Sequence, residues 1–382
     1  MPFARLAGAA RDRAGIAMAT ALGGLVIIGV LIAGVFFTSN QELRVGTNTF
    51  VQERAFRAAE FGLNTTLASW SNASLLQLPI GGTTQTVYDS SAKGWRDTVT
   101  ITRLNATTFL IGSTGTAFGG IQGSARRRTA LLVRSSVPKF DWPGALTVRG
   151  DSKAGGSSLI TGFDANPPGW TSCPPSADTL AGIAFDGALT MVGCPGNTCL
   201  AGAPPALTTA DAADTATYFE YGDENWSTVT KYASKIYDPG EKATSVGPKL
   251  NPDGSCDYAW KHNWGGPAGG ACENHFPIIY AKGPTSTLSL TSGSGQGILF
   301  VEGNLELAGN FSFNGPIVVR GTISSKGTNV VNGALAAANL SGGTNSVLGT
   351  ALITYSSCAV NKALETAIPP KRIVERAWME VF

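Results

Sequence analysis

The chain is short of charge, short of histidine and empty of cysteine over its first 172 positions. Charged residues make up 14% of its 382 residues, against about 25% in ordinary globular domains. With 48 glycines, that profile disfavours a cytosolic α/β enzyme and favours loop-rich, extracytoplasmic β structure. The two histidines, His262 and His275, fit no standard zinc spacing, and there is no CxxC. No nucleophile elbow, HExxH or P-loop occurs. The Gly-rich run at 265–270 follows no strand-to-helix pattern and reads as a loop. We therefore expect no catalytic residues, no cofactor and no metal. A net charge of +2 gives no global field for nucleic acid.

What charge there is lies unevenly. Residues 1–140 hold fourteen Lys and Arg against six Asp and Glu, whereas the remainder holds fourteen against twenty. All six cysteines (Cys173, Cys194, Cys199, Cys256, Cys272 and Cys358) lie in the acidic remainder. An even count confined to the distal part points to disulfides formed in an oxidising compartment. Cys256 and Cys272 flank a Pro- and Gly-rich loop and form the favoured pair. Cys194 and Cys199 flank Pro195-Gly196-Asn197 and suit a tight turn, which leaves Cys173 for Cys358. Spacing leaves other pairings open.

Arg11-Asp12-Arg13 precedes a nearly uncharged run from Ala14 to Phe37. That is enough to cross a bilayer as a helix, and the leading arginines put the N-terminus in the cytoplasm. A cleaved secretory signal would have a shorter apolar region and a small-x-small site, which Phe36-Phe37-Thr38-Ser39-Asn40 does not supply. A plain anchor accounts for the run but not for the thirty residues beyond it. Up to Trp70 the chain keeps good helix formers, and Val51, Ala55, Ala58, Ala59, Leu63 and Leu67 form an apolar stripe at helical spacing. One long helix is expected over 16–70, membrane-spanning over 16–37 and amphipathic over 38–70.

Two segments carry a resemblance. Arg13-Ala14-Gly15-Ile16-Ala17-Met18-Ala19 resembles the processing site of a prepilin leader. Thr49-Phe50-Val51-Gln52-Glu53-Arg54-Ala55-Phe56-Arg57-Ala58-Ala59-Glu60-Phe61-Gly62-Leu63 resembles the R-x-x-A-F-x-A-A-E-x-x-L block of PilX-type type IV pilus proteins. The likeness covers about residues 11–70. It implies a leader over 1–15, cut between Gly15 and Ile16 by a prepilin peptidase. It also implies an inner-membrane stage, then a periplasmic or extracellular place among other pilins, contacted through the N-terminal helix. Major pilins carry Glu five residues into the mature chain; here that residue is Thr20. A lipid-embedded Glu is costly unless a neighbouring subunit's amine pairs with it, so the departure points to a minor, tip-located subunit.

Short alternating runs occupy 71–140, as Thr84–Tyr88, Asp97–Thr102, Thr107–Ile111 and Arg128–Val133, and read as a small β module. Arg126-Arg127-Arg128 is read as a solvated turn, with lipid head groups or DNA as the sharper alternatives. Farther on, Gly297, Gly315 and Gly333 open blocks of eighteen, with glycines also at the seventh and thirteenth places of the first two. Gly144-Ala145-Leu146-Thr147-Val148-Arg149-Gly150 matches Gly315-Pro316-Ile317-Val318-Val319-Arg320-Gly321 in register. Three short strands per coil with Gly corners are expected of a parallel β-helix, and the pattern resembles bactofilin-like coils. The expected division is a first coil at 141–162, a Cys-bearing insertion at 163–275, a resumed β-helix at 276–354 and a cap and tail at 355–382.

Within the insertion one helix is expected from Thr209 through Phe219, with Asp211, Asp214, Glu220, Asp223 and Glu224 as a solvated acidic face, since their spacing fits no EF-hand. Trp226, Tyr258, Trp260 and Trp264 either cover the solenoid or form a carbohydrate-stacking surface. Tyr355 to Val360 suggests a serine-capped helix closing the last coil, and 375–382 a returning strand. The fold class is mainly β with a long N-terminal helix: a pilin-like helix and small sheet, then an interrupted parallel β-helix. The expected function is structural, a minor pilin or tip subunit that could be adhesive towards a surface glycan or host ligand, with no nucleic acid. A membrane-tethered β-helix hydrolase or lyase would place several Asp, or Arg and Lys with calcium, on one sheet face, and the repeat blocks show Glu302, Glu306 and Arg320 with no Asp among them. A static envelope scaffold differs from the pilin in keeping Gly15 uncut.

Overall fold

The computed structural model describes residues 11–381 except 71, 76, 120–122, 136–137, 172, 174–177, 195–197, 366–370 and 373–377. Most of the expected leader and the Pro195-Gly196-Asn197 turn therefore lie outside the described residues. The chain is mainly β, with one long N-terminal helix and a curled parallel sheet.

Helix α1 runs unbroken from Arg11 to Ala68, 58 residues and about 87 Å at 1.5 Å per residue. No proline interrupts it, the first after Pro2 being Pro79. The apolar stripe read from the sequence is the buried one: Val51, Ala55, Ala58, Ala59 and Leu63 are all inaccessible or nearly so. They pack on an antiparallel meander of β1 (Thr83–Ser90), β2 (Trp95–Arg103), β3 (Thr108–Phe118) and β4 (Ser124–Arg134). Ile101, Phe109, Ile111, Leu131 and Val133 complete that core.

One carboxylate sits inside this interface. Asp97 of β2 is fully buried under Gly62 of α1, where a Cβ would stand 1.5 Å from its Oδ2. Its side-chain partner is Ser113, whose Oγ lies 2.9 and 3.0 Å from the two carboxylate oxygens and also donates to Ala59 O at 2.7 Å. Burial raises the Asp97 pKa from 3.8 to about 6 against the smaller opposing effects of Ser113 and the Thr98 backbone. The folded protein therefore binds the proton more tightly than the unfolded chain. Stability is fully present below pH 3.8 and is lost as pH rises through about 6. The gap corresponds to roughly 3 kcal/mol at neutral pH. Asp97→Asn should remove this penalty, raising thermal stability at pH 7 and flattening the profile between pH 4 and 6. A variant with the wild-type pH slope would show that the carboxylate is not the cause.

The C-terminal segment returns to this head. Lys371–Arg372 and Trp378–Val381 pair antiparallel with the free edge of β4. The returning strand expected at 375–382 is thus found over its described part, but it belongs to the small β module, not to a separate tail. Between the two lies the solenoid, whose strands all pair in parallel on three flanks. On the first flank the rungs are ordered Lys235–Tyr237, Ile278–Ala281, Ile298–Val301, 317–319, 335–337, 146–148, 183–185 and Ala206–Thr208.

That order corrects the expected insertion. Residues 181–208 are further rungs, and Lys235–Tyr237 is an end rung. The chain enters the stack in its middle at Gly144 and winds to one end at Thr208. It crosses the outside of the first flank, resumes at the opposite end and winds back to meet its own entry. Leu335, Ala336 and Ala337 pair with Leu146, Thr147 and Val148 across that seam. The sequence hid these rungs because the coil length rises from eighteen where side loops leave the coil, as at 162–180.

The glycine spacing has a steric cause. At Gly327, Gly349 and Gly156 φ is +93°, +87° and +73°, and a Cβ would lie 2.6 to 2.7 Å from backbone of the preceding rung. This corner column runs from Gly309 through Gly327 and Gly349 to Gly156, and so crosses the seam between the two runs.

The first flank is buried on both sides. Inside lie Ile279, Leu299, Ile317, Leu335, Leu146 and Ile183. Outside, Phe300, Val318 and Ala336 lie under Tyr218, Tyr221, Val229, Val360 and Leu364. The covering is residues 209–234 and the helix Ser357–Glu365. This helix does begin at a serine, Ser356 Oγ accepting from Ala359 N at 3.3 Å, but it lies along the flank of a mid-stack coil and closes no end. The expected helix from Thr209 is also replaced, by a short turn at Ala210–Ala212, one turn at Ala216–Phe219 and another at Trp226–Thr230. Asp214 accepts from Ala216 N and so starts a new turn, and Gly222 at φ +69° ends it in a hairpin.

Candidate membrane and assembly surface

The functional surface begins with what α1 leaves uncovered. From Ile16 to Phe37 every large apolar side chain is between 54% and 69% exposed, on all sides of the helix. A helix apolar all round buries itself in a membrane or a bundle, and this one is long and apolar enough to span a bilayer. Gly15 and Ile16, the expected processing pair, both lie in its first turns. Thr20, at the position where the resemblance would place Glu, turns inward on its own helix: its Oγ1 donates to Ile16 O and Ala17 O, 3.0 Å each. It offers no charge to a neighbour. Beyond the span, Leu43, Val45, Phe50 and Phe61 are exposed. The Arg54 guanidinium lies 5.9 Å from the Phe50 ring centre, and Phe61 meets Trp95 and Tyr88 edge-on at 5.2 and 6.0 Å.

No protein family, curated protein or solved structure matches this chain.

The cysteines pair as Cys173–Cys358, Cys194–Cys199 and Cys256–Cys272. The first joins the 162–180 loop to the flank helix, and the last staples a cap over the solenoid's resumed end. In that cap Trp264 is fully buried on Phe311 and Phe313 and donates to Tyr237 Oη at 3.0 Å. Lys235 is buried beside it, its Nζ donating to Tyr258 O and Trp260 O at 2.7 Å each; burial draws its pKa down. Burial, with the Lys235 charge next, lowers the His275 pKa to about 4. Trp264 and Lys235 hold the cap closed. Lys235 carries no mark in the sequence, since a lone lysine beside apolar residues looks like any surface cation.

The four aromatic residues weighed as a carbohydrate platform are not brought together. Trp264 seals the lumen, Trp226 covers the first flank 4.9 Å from Phe300, Trp260 meets His262 edge-on at 5.4 Å, and Tyr258 stands exposed beside His275. The acidic residues also scatter: Asp223 pairs with Arg134 at 2.6 Å, Glu224 is buried, and Asp214 caps a turn. Among the described residues no cluster of His, Cys, Asp or Glu could hold a metal. Glu302 and Glu306 part company as well. Glu302 lies 3.4 Å from Arg320 Nη1 and accepts from Gly283 N, while Glu306 is on the second flank, paired in the sheet with Ser324. Arg320 is half-buried between Phe219 and Trp226, 5.6 and 5.8 Å from their ring centres, and pins the covering segment.

Proposed function

We propose that this chain is a membrane-anchored minor pilin, a structural subunit at the tip or starting point of a type IV pilus-like fibre. One observation carries the reading: a single unbroken helix is bare and apolar over its first half and lies under a four-stranded antiparallel meander over its second. The exposed apolar residues beyond the span supply a face for other pilins. Thr20 suits a subunit with no amine to neutralise above it. The N-terminus then faces the cytoplasm, and the head and the solenoid, which carries the three disulfides, face an oxidising space. The chain passes through the inner membrane before assembly and meets the prepilin peptidase there. The solenoid is the presented part, the one that would meet a surface glycan or host ligand.

A catalytic role is disfavoured. Glycoside-cleaving pairs stand roughly 5–10 Å apart across one cleft, and here the two candidate glutamates occupy different flanks. N-terminal sequencing of the mature protein tests the proposal: Ile16 is expected first, Gly15 having been removed. Material that keeps Met1 in cells with an active prepilin peptidase would leave only an anchored scaffold.

A further inference from the structure

The edge of the head nearest the apolar span carries cations that pilus assembly does not explain. Strand β3 runs along α1 from the level of Trp70, whose ring meets Phe109 at 5.2 Å, down to Ala117 beside Val51 and Ala55. The chain turns there, so β4 starts at the span-facing edge with Arg126, Arg127 and Arg128, of which Arg126 and Arg128 are exposed. A cavity of about 340 Å³ opens between this start and α1, lined by Asn48, Gln52, Ser124, Arg126 and Arg127 among others. Arg127 Nη2 donates to Gln52 Oε1 at 2.8 Å, which holds one guanidinium at its wall. The β1–β2 turn brings exposed Lys93 to the same edge, its carbonyl accepting from Arg54, and Arg44 projects from α1 below. Of the nearby carboxylates, Glu53 is bonded to Arg57 and Asp89 to Arg96; Glu42 and Glu60 remain on α1.

We propose that this edge docks on anionic phospholipid head groups, the cavity between α1 and β4 receiving a lipid phosphate. The proposal rests on α1 spanning the membrane. Asn48 stands eleven residues beyond Phe37, about 17 Å of helix, and the head-group layer takes up roughly 5–8 Å of that. The remaining gap is about one Debye length at physiological salt. An ordinary tilt of about 20° and the length of an arginine side chain close it on the sheet side. Nucleic acid fits less well, since the cluster is short and no exposed ring is interleaved with it.

The full chain, carrying a donor fluorophore on Ala92→Cys in the β1–β2 turn, outside the cavity, is reconstituted into lipid nanodiscs with acceptor-labelled head groups. Energy transfer should rise by about twofold or more when phosphatidylglycerol replaces part of the phosphatidylcholine, anionic lipid acting only near the surface. Salt that shortens the Debye length to about 3 Å should reverse the rise, as should R126E/R128E. Equal transfer in both lipids, or a rise insensitive to salt and to both charge reversals, overturns the proposal. Failure of the chain to co-elute with either disc instead defeats the membrane anchor beneath it.

Discussion

Replacing Val319 with Asp is expected to destabilise the solenoid by roughly 4 kcal/mol or more, the cost of an uncompensated charge in a packed interior. Val319 is wholly inaccessible and stacks between Val301 and Ala337, and Ala337 in turn lies on Val148. The column Ala281, Val301, Val319, Ala337, Val148 and Phe185 is buried throughout, so a carboxylate there meets no donor. Lys326→Asp, on the open second flank, should cost under about 0.5 kcal/mol. Arg320→Asp falls between them. It removes a cation from two aromatic faces and sets a second carboxylate near Glu302, so its cost should exceed that of an ordinary surface change. Thermal unfolding of the detergent-solubilised full chain gives the order. If Val319→Asp melts with the wild type while Lys326→Asp unfolds, the inward and outward registers are reversed.

Removing the Cys173–Cys358 bond by the double serine variant should cost about 4–5 kcal/mol, since it closes a span of 185 residues. Removing Cys194–Cys199, which closes a span of 5, should cost only about 2 kcal/mol. The longer link also has a local task. It fastens the helix Ser357–Glu365, whose Val360, Ala363 and Leu364 cover the outside of the first flank. Its loss should make that helix the first site of proteolysis. Equal melting of the two variants, with the helix still protected, would locate the stability of this flank in packing alone.

The mid-stack entry has a mechanical consequence. Strand Gly144–Val148, near the entry, and strand Leu352–Tyr355, near the exit, sit on adjacent coils; the entry connection leaves the end of β4, and the exit connection returns to the edge of that same strand. Neither end of the solenoid is tied to the head by chain continuity. One end is sealed by the Trp264 cap. At the other, the last strand follows Pro204 and Pro205, residues that discourage edge pairing.

Much of this was legible in the residues themselves. Helix α1 was, because its apolar run and its i, i+3, i+4 stripe are local patterns that only one geometry satisfies. The four head strands were, because alternation marks a sheet with one packed face. The solenoid's corners were, because a left-handed backbone pressed against the rung below admits little but glycine. Other features depended on partners far away in sequence. Ile298-Leu299-Phe300-Val301 and Pro316-Ile317-Val318-Val319 do announce strands buried on both faces, but not what covers them. Residues 181–208 could not be recognised as coils until side loops of unequal length had been folded out of the repeat. Asp97, Lys235 and the cations at the edge of β4 look like ordinary polar residues in sequence. Their environment is set by Gly62, by the carbonyls of Tyr258 and Trp260, and by the direction in which β3 runs along α1. Sequence alone determined the periods, since these are properties of neighbouring residues. Tertiary structure alone decided which faces met and which charges were stranded or gathered, because burial and field depend on distances that chain order does not encode.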